Sequence, residues 1–333
     1  MPLVTSINRR FPGVPLDWVV QTEFMDAVRA HPGVARVIPF PRRELDGFWR
    51  PLDGWRRTAR FLRSLRNGYD LAIDAQGLAR SGAMAIFSGA GDRVGFADAR
   101  EFGWVGSNRR IRVAPDLPAV DRMLALLEGA GIPPVADLSL HVPEDVEVDW
   151  STWRNSRIGS KETESPGHAA IAPTSRWISK EWPIERWVQV GERLLESRRV
   201  SNIVMLGAPS EAAKIQAAIG GRPGFQSLAG EGPLSWSMAA VRDASILLGN
   251  DSAMLHAAAG FAVPLVGLFG PTDPAICGPH GRVRDTIRAP GVSAEVHYRE
   301  RDLGDDLMRG IQVEEVVEMA LERIVASVES KES

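Results

Sequence analysis

The chain has 333 residues, 44% hydrophobic and 24% charged, with a formal net charge of −3; these values exclude wholesale disorder and suit two domains of ordinary size. No run of about 18 apolar residues is present and Met1–Gly13 lacks an apolar leader core, so no membrane span is expected and a cytoplasmic chain is. A single cysteine, Cys277, excludes a disulfide framework and a Cys-based zinc site.

In chain order, Leu16–Val20 predicts a short buried strand, Thr22–Ala30 a helix closed by His31-Pro32-Gly33, and Arg36–Pro39 a second strand. Trp55–Arg66 reads as an amphipathic helix with Leu62 and Leu65 on its apolar side. Tyr69–Asp74 is strand-like, Gln76–Gly89 a small-residue helix, and Val120–Ala130 a helix stopped by Gly131-Ile132-Pro133-Pro134.

From residue 144 the chain turns acidic and then rich in Ser, Lys, Glu and Gly. Residues 146–167 are the expected connection between an N-terminal domain, 1–145, and a C-terminal domain, 168–333. The alternation then restarts. Strands are expected at His168–Ala172, Asn202–Leu206, Ser245–Gly249 and Val263–Phe269. Helices are expected at Ile184–Arg198, Ser210–Ile219, Leu234–Arg242, Ser252–Gly260 and Val313–Val328. Strands alternating with helices of this length predict an α/β protein of two Rossmann-like domains with parallel sheets, ligands lying at the carboxyl ends of the strands.

Four loops carry chemistry. In Gly249–Gly260 an apolar strand ends and Asp251-Ser252 open a helix, whose unpaired N–H groups and dipole favour a phosphate. Asp251 suits sugar hydroxyls, and His256, a turn on, suits a phosphate oxygen; an ordinary N-cap with a buried histidine explains the same residues. The loop Ala172–Pro183 offers the hydroxyls of Thr174 and Ser175 and the point charge of Lys180, a phosphate-binding set without a Walker pattern; the alternative is a polar loop with a tryptophan staple. In Gly207–Glu211 the acid suits ribose hydroxyls or the first turn of a helix. In Val266–Pro274, Asp273 is the expected cap of the next helix.

Together T-S-R-W-x-S-K-E-W-P, G-N-D-S-A-x-x-H-x-A-A and G-L-F-G-P-T-D-P resemble glycosyltransferase family 9, the ADP-heptose:lipopolysaccharide heptosyltransferases of GT-B fold, over roughly residues 1–325. Tyr69–Ser81 resembles the family's strand and its Q-G-L-x-[KR]-S helix. Ala99-Arg100-Glu101 and Val120-Asp121-Arg122 resemble the heptosyltransferase I subgroup. The resemblance implies two parallel-sheet domains facing across a cleft. It also implies a donor site in which Thr174, Ser175 and Lys180 hold the diphosphate of ADP-heptose and Glu211 the ribose. Asp251 would hold the heptose hydroxyls, Ser252 and Ala253 would contact phosphate, and His256 would lie close by. One departure is that the family carries D-T-G where this chain has Asp251-Ser252-Ala253; serine keeps the hydroxyl, while alanine adds a methyl where the backbone nears phosphate. A second is that Met1–Arg10 aligns with the helix following the family's S-x-L-G-D loop. The expectation is therefore a chain without that loop's strand and general-base aspartate. No catalytic residue is assigned, Asp74, Asp98 and Glu101 being the carboxylates near the expected cleft.

The charge is split along the chain. Residues 1–115 hold 18 Arg and no Lys against 11 acids, a formal +7, and the remainder is −10. Residues 42–66 alone carry eight Arg against three acids, and Arg56, Arg60 and Arg63 recur at i, i+4 and i+7 on one helix face. Guanidinium forks match carboxylates and phosphates. With Arg57 and Arg122, this face is the expected site for an acidic, Kdo-containing lipid acceptor at the inner membrane surface. A solvated amphipathic face is the bland alternative. An overall pI near 6 argues against nucleic acid.

The expected function is therefore inverting, metal-independent heptose transfer from ADP-heptose to the lipopolysaccharide inner core, by a cytoplasmic enzyme peripheral to the inner membrane. No cofactor is expected, and no carboxylates or histidines stand at metal-ligand spacing. The competing readings are a nucleotide-sugar-binding protein without transferase activity and a GT-B enzyme using another nucleotide sugar.

Overall fold

The computed structural model describes residues 1–45, 53–159, 166–291 and 304–332. They form two compact units, Met1–Asp137 and Leu138–Ser333.

In the first unit, helix α1 (Pro2–Arg10) precedes strands β1 (Asp17–Gln21) and β2 (Arg36–Phe40). Helix α2 (Asp53–Ser64) leads to β3 (Leu71–Asp74), α3 (Ala79–Phe87), β4 (Asp92–Phe96), β5 (Arg109–Ile111) and α4 (Ala119–Gly129). The strands make two separate parallel sheets, β1-β2 and β3-β4-β5. The apolar side of α1 (Leu3), of β4 (Val94, Phe96) and of α4 (Leu126, Leu127) closes one small core. At the start of the strands Asp17 accepts hydrogen bonds from Arg36 (2.6 Å) and Tyr69 (2.5 Å), tying the two sheets by side chains. The helix expected over Thr22–Ala30 is a 3-10 turn, Thr22–Phe24, followed by the single turn Asp26–Arg29.

The second unit opens with α5 (Glu144–Arg157) and continues through β6 (His168–Ala172), α6 (Ile184–Glu196), β7 (Asn202–Met205), α7 (Ala212–Ile219), β8 (Phe225–Ser227), α8 (Leu234–Arg242), β9 (Ile246–Asn250), α9 (Ala253–Gly260), β10 (Leu265–Phe269), β11 (Thr286–Arg288) and the terminal α10 (Val313–Glu332). One six-stranded parallel sheet results, in the order β11-β10-β9-β6-β7-β8. Successive strand residues face opposite sides, and both sides are covered. Ala169, Ile171, Ile203, Met205, Ile246 and Leu248 enter the core that holds Trp187 and α10. Ala170, Ala172, Val204 and Leu247 enter the core beneath α5, α8 and α9.

The expected connection 146–167 differs from this arrangement. The units part at Asp137–Leu138, and most of the stretch is α5, a helix of the second unit. Its acidic composition hides a narrow inward stripe, Val146, Trp150 and Trp153, at i, i+4 and i+7. Trp150 is fully buried, stacks on Trp153 at 5.4 Å between centroids, and donates its indole N–H to Asp243 (2.9 Å). Arg242 also pairs with Glu147, which explains why acids are wanted on the outer face. Residues 160–165 of the expected connection lie outside the described residues, as does Arg50 of the Arg-rich stretch.

Candidate functional site

The polar residues singled out in the second half gather on one rim, at the carboxyl ends of β6, β7, β9 and β10. Beyond the apolar run of each strand the chain leaves the sheet and brings polar side chains to this rim. From β6 come Thr174 and Ser175; from β7, Glu211; from β9, Asp251 and Ser252; from β10, Thr272 and Asp273.

Two linked clusters result. Thr174 donates its hydroxyl to Glu211 Oε2 (2.9 Å), which also accepts the Ala208 amide (2.6 Å). Beside it, Ser175 donates to the Asp251 carbonyl (3.1 Å). The Asp251 carboxylate receives Lys180 Nζ at 2.5 Å and the Thr272 hydroxyl at 2.7 Å on the same oxygen, Oδ2. Lys180 and Asp251 are both nearly buried, so this ion pair is screened little by solvent. Glu181 braces the loop by accepting the Ser175 amide (3.0 Å) and pairing with Lys214 (2.7 Å).

Ser252 is the N-cap of α9 and Ala253, its first residue, is exposed. Among the described residues the buried Ser252 hydroxyl oxygen has no hydrogen-bond partner, so an orphan donor stands beside the amides of the helix start. His256, a turn along, keeps an exposed edge but is crowded on its other side. That desolvation lowers its pKa below the ordinary 6.5, opposed by Asp251 and by a hydrogen bond to the Cys277 backbone. Asp273 caps the following helical turn, accepting the Ala275 amide (2.8 Å), as its spacing predicts.

Asn250 and Thr272 stand in the quoted motifs, and the sequence alone assigns neither a role. Asn250, fully buried, donates to the Pro173 carbonyl (2.6 Å) and accepts the Trp182 amide (3.1 Å), fastening both ends of the Lys180 loop to β9. Thr272 is buried against Asp251. Asn250 gives a local signal, a polar residue closing an apolar strand; Thr272 gives none, because its partner is 21 residues away.

In the first unit, Arg56, Arg57, Arg60 and Arg63 are all exposed on α2. Arg122 is set differently. It pairs with both oxygens of Asp98 (3.2 Å each), donates to the Ala114 carbonyl and lies over the Phe96 ring at 4.7 Å, so its charge is engaged within the fold. Asp74 is buried and accepts the amides of Gln76 and Gly77 and the Ser81 hydroxyl (2.9–3.0 Å); it shapes the turn into α3. Of the three carboxylates near the expected cleft, Asp74 and Asp98 are thus committed to structure. Glu101 is exposed, on a loop with left-handed backbone (φ 54°).

Parallel strands covered by helices on both faces, with polar loops gathered at their carboxyl ends, define an α/β protein of Rossmann-like class. Comparison with known proteins narrows it. Residues 58–302 match the model of glycosyltransferase family 9 (heptosyltransferase). Lipopolysaccharide heptosyltransferase 1 of Pseudomonas aeruginosa is 31% identical over 291 residues, spanning 85% of this chain and 77% of that protein. Its namesake in Escherichia coli K12 is 26% identical, spanning 87% and 89%. The solved structure of E. coli heptosyltransferase WaaC with ADP superposes with a TM-score of 0.76 at 23% identity, over 97% of this chain and 94% of that one. The chain belongs to glycosyltransferase family 9 and has the GT-B fold.

Proposed function

We propose that this glycosyltransferase moves heptose from ADP-heptose to a Kdo-containing acceptor of the lipopolysaccharide inner core, with inversion and without a metal, at the cytoplasmic face of the inner membrane. The observation that carries the reading is the convergence of Lys180, the Ser252 hydroxyl and the α9 amides on one rim, beside Thr174 and Glu211. In this reading the diphosphate lies against Lys180 and the α9 start, the ribose against Glu211 and the sugar hydroxyls against Asp251. An acceptor hydroxyl attacks the anomeric carbon from the face opposite ADP. The new C–O bond forms as the bond to the diphosphate breaks, and the hydroxyl proton passes to a base. Lys180 and the helix amides stabilise the negative charge arriving on the leaving ADP. The exposed Arg face of α2 holds the acidic acceptor. The names of the family 9 relatives, both heptosyltransferases of lipopolysaccharide, support donor and acceptor class alike.

The test follows ADP release with ADP-heptose and a Kdo-bearing acceptor. Acceptor-dependent release is expected, and Arg60→Ala/Arg63→Ala should raise the acceptor KM tenfold or more while leaving ADP affinity unchanged. ADP binding without transfer would leave a binding protein. Equal turnover with another nucleotide sugar would reassign the donor.

A further inference from the structure

The loop between β4 and β5 presents apolar side chains to solvent in a built, rigid form. Phe102 is 77% exposed and Val105 53% exposed, and the Phe102 and Trp104 rings lie 6.5 Å apart. Glu101 and Phe102 both have left-handed backbone (φ 54° and 61°), a costly conformation for residues with a Cβ, and it turns the phenyl ring outward.

The base of this tip is pinned. Arg110 stacks on the Trp104 ring at 4.4 Å and donates to the Trp104 carbonyl (3.1 Å), while Arg93 donates to the Gly106 carbonyl (2.9 Å). Below it the backbone packs directly on α3. A Cβ on Gly82 would come within 2.4 Å of the Gly103 carbonyl oxygen, and one on Gly106 within 2.3 Å of the Gly82 Cα. Ile86, one turn beyond Gly82 on the same side of α3, is 46% exposed and extends the apolar surface.

A soluble fold seldom holds a phenyl ring in water on a strained, braced loop unless the ring has a destination. The surrounding charge indicates which one. Residues 99–113 carry Arg100, Arg109, Arg110 and Arg112 against the single acid Glu101; Arg109 pairs with Asp92 (3.5 Å) and Arg110 is held on Trp104, which leaves Arg100 and Arg112, both exposed, for a partner. Exposed apolar and indole rings on a segment this rich in arginine match a bilayer that is apolar inside and anionic at its surface. We infer that the Phe102–Val105 tip inserts into the headgroup region of an anionic membrane, with the flanking arginines on lipid phosphates. Insertion of the tip requires no particular donor or acceptor at the second unit.

Vesicle co-sedimentation of the full chain, with no nucleotide or acceptor present, tests it. Binding is expected to vesicles containing phosphatidylglycerol, at least tenfold weaker to pure phosphatidylcholine, and strongly reduced by salt. Phe102→Ser/Val105→Ser should reduce the partition coefficient about tenfold or more, with unchanged circular dichroism and melting, since both side chains are exposed. Arg100→Glu/Arg112→Glu, which leaves the apolar tip intact, should abolish the preference for anionic lipid. Unchanged binding in either variant, or no binding of the parent chain, overturns the proposal. A concentration-dependent dimer abolished by Phe102→Ser would overturn it too, assigning the tip to a second copy of the chain.

Discussion

The two units are built from the same parallel-strand vocabulary and differ in how far it is buried. Every residue of β6, β9 and β10 is buried, and two cores sandwich one continuous sheet. In the first unit β1 contains no buried residue and β3 only Asp74, and the strands belong to two sheets sharing a small core. The second unit therefore presents its polar rim from a rigid platform, with each rim residue fixed by the register of the strand below it. The first unit offers charge and exposed apolar groups on helices and loops instead. A precise, small-ligand site belongs on the first kind of support, and contact with a broad, charged surface suits the second.

The sharpest way to break this contrast is by truncation. Trp150→Ala, which empties a fully buried site and orphans a hydrogen bond to Asp243, should destabilise the second unit by about 3–5 kcal/mol. Val19→Ala, on the half-exposed β1, should cost less than about 1 kcal/mol. Denaturant unfolding followed by circular dichroism would read both, and equal losses would remove the distinction. On the rim itself, Lys180→Ala should weaken ADP binding by about 1.5–3 kcal/mol, the range for charged hydrogen bonds. Identical calorimetric affinities would take Lys180 out of the nucleotide site. Thr272→Val removes the neutral donor from the same Asp251 oxygen and should cost about 0.5–1.5 kcal/mol in ADP-heptose affinity while leaving ADP affinity unchanged, with Thr272→Ser restoring it. If valine binds as threonine does, Thr272 only fills space.

The smallest effect concerns pH. Because folding lowers the His256 pKa, its contribution to stability is complete above the unfolded value near 6.5 and declines as pH falls below it. The parent should therefore lose more melting temperature between pH 8 and pH 5 than His256→Gln. Parallel curves would show that the histidine is not desolvated by folding.

Much of this architecture was legible from residue patterns, and the limits have physical causes. Leu234–Arg242 and His168–Ala172 were located to the residue because apolar period and breakers coincide there. β4, β5, β8 and β11 were missed. Three of them have only three residues, too few for a period to register, and β4 opens with Asp92 and Arg93, which leaves only Val94-Gly95-Phe96 as an apolar signal. Helix α5 reads as a connection in the sequence because three inward residues in fourteen leave an acidic average. On the rim, the polar residues next to strand ends were visible, whereas the Asp251–Thr272 and Asn250–Pro173 contacts depend on which strands lie side by side. Strand order is not written in any one segment.

The Lys180–Asp251 pair has one more consequence, for ionic strength. At 2.5 Å and nearly buried, the two charges cancel each other and project little field into solvent. The guanidinium groups of α2 and of the β4–β5 loop stand in water, where physiological salt screens them within about 8 Å. Salt should thus act on the two halves of the molecule unequally. Whatever the arginines of the first unit hold should loosen as salt rises, while the Lys180–Asp251 contact should persist.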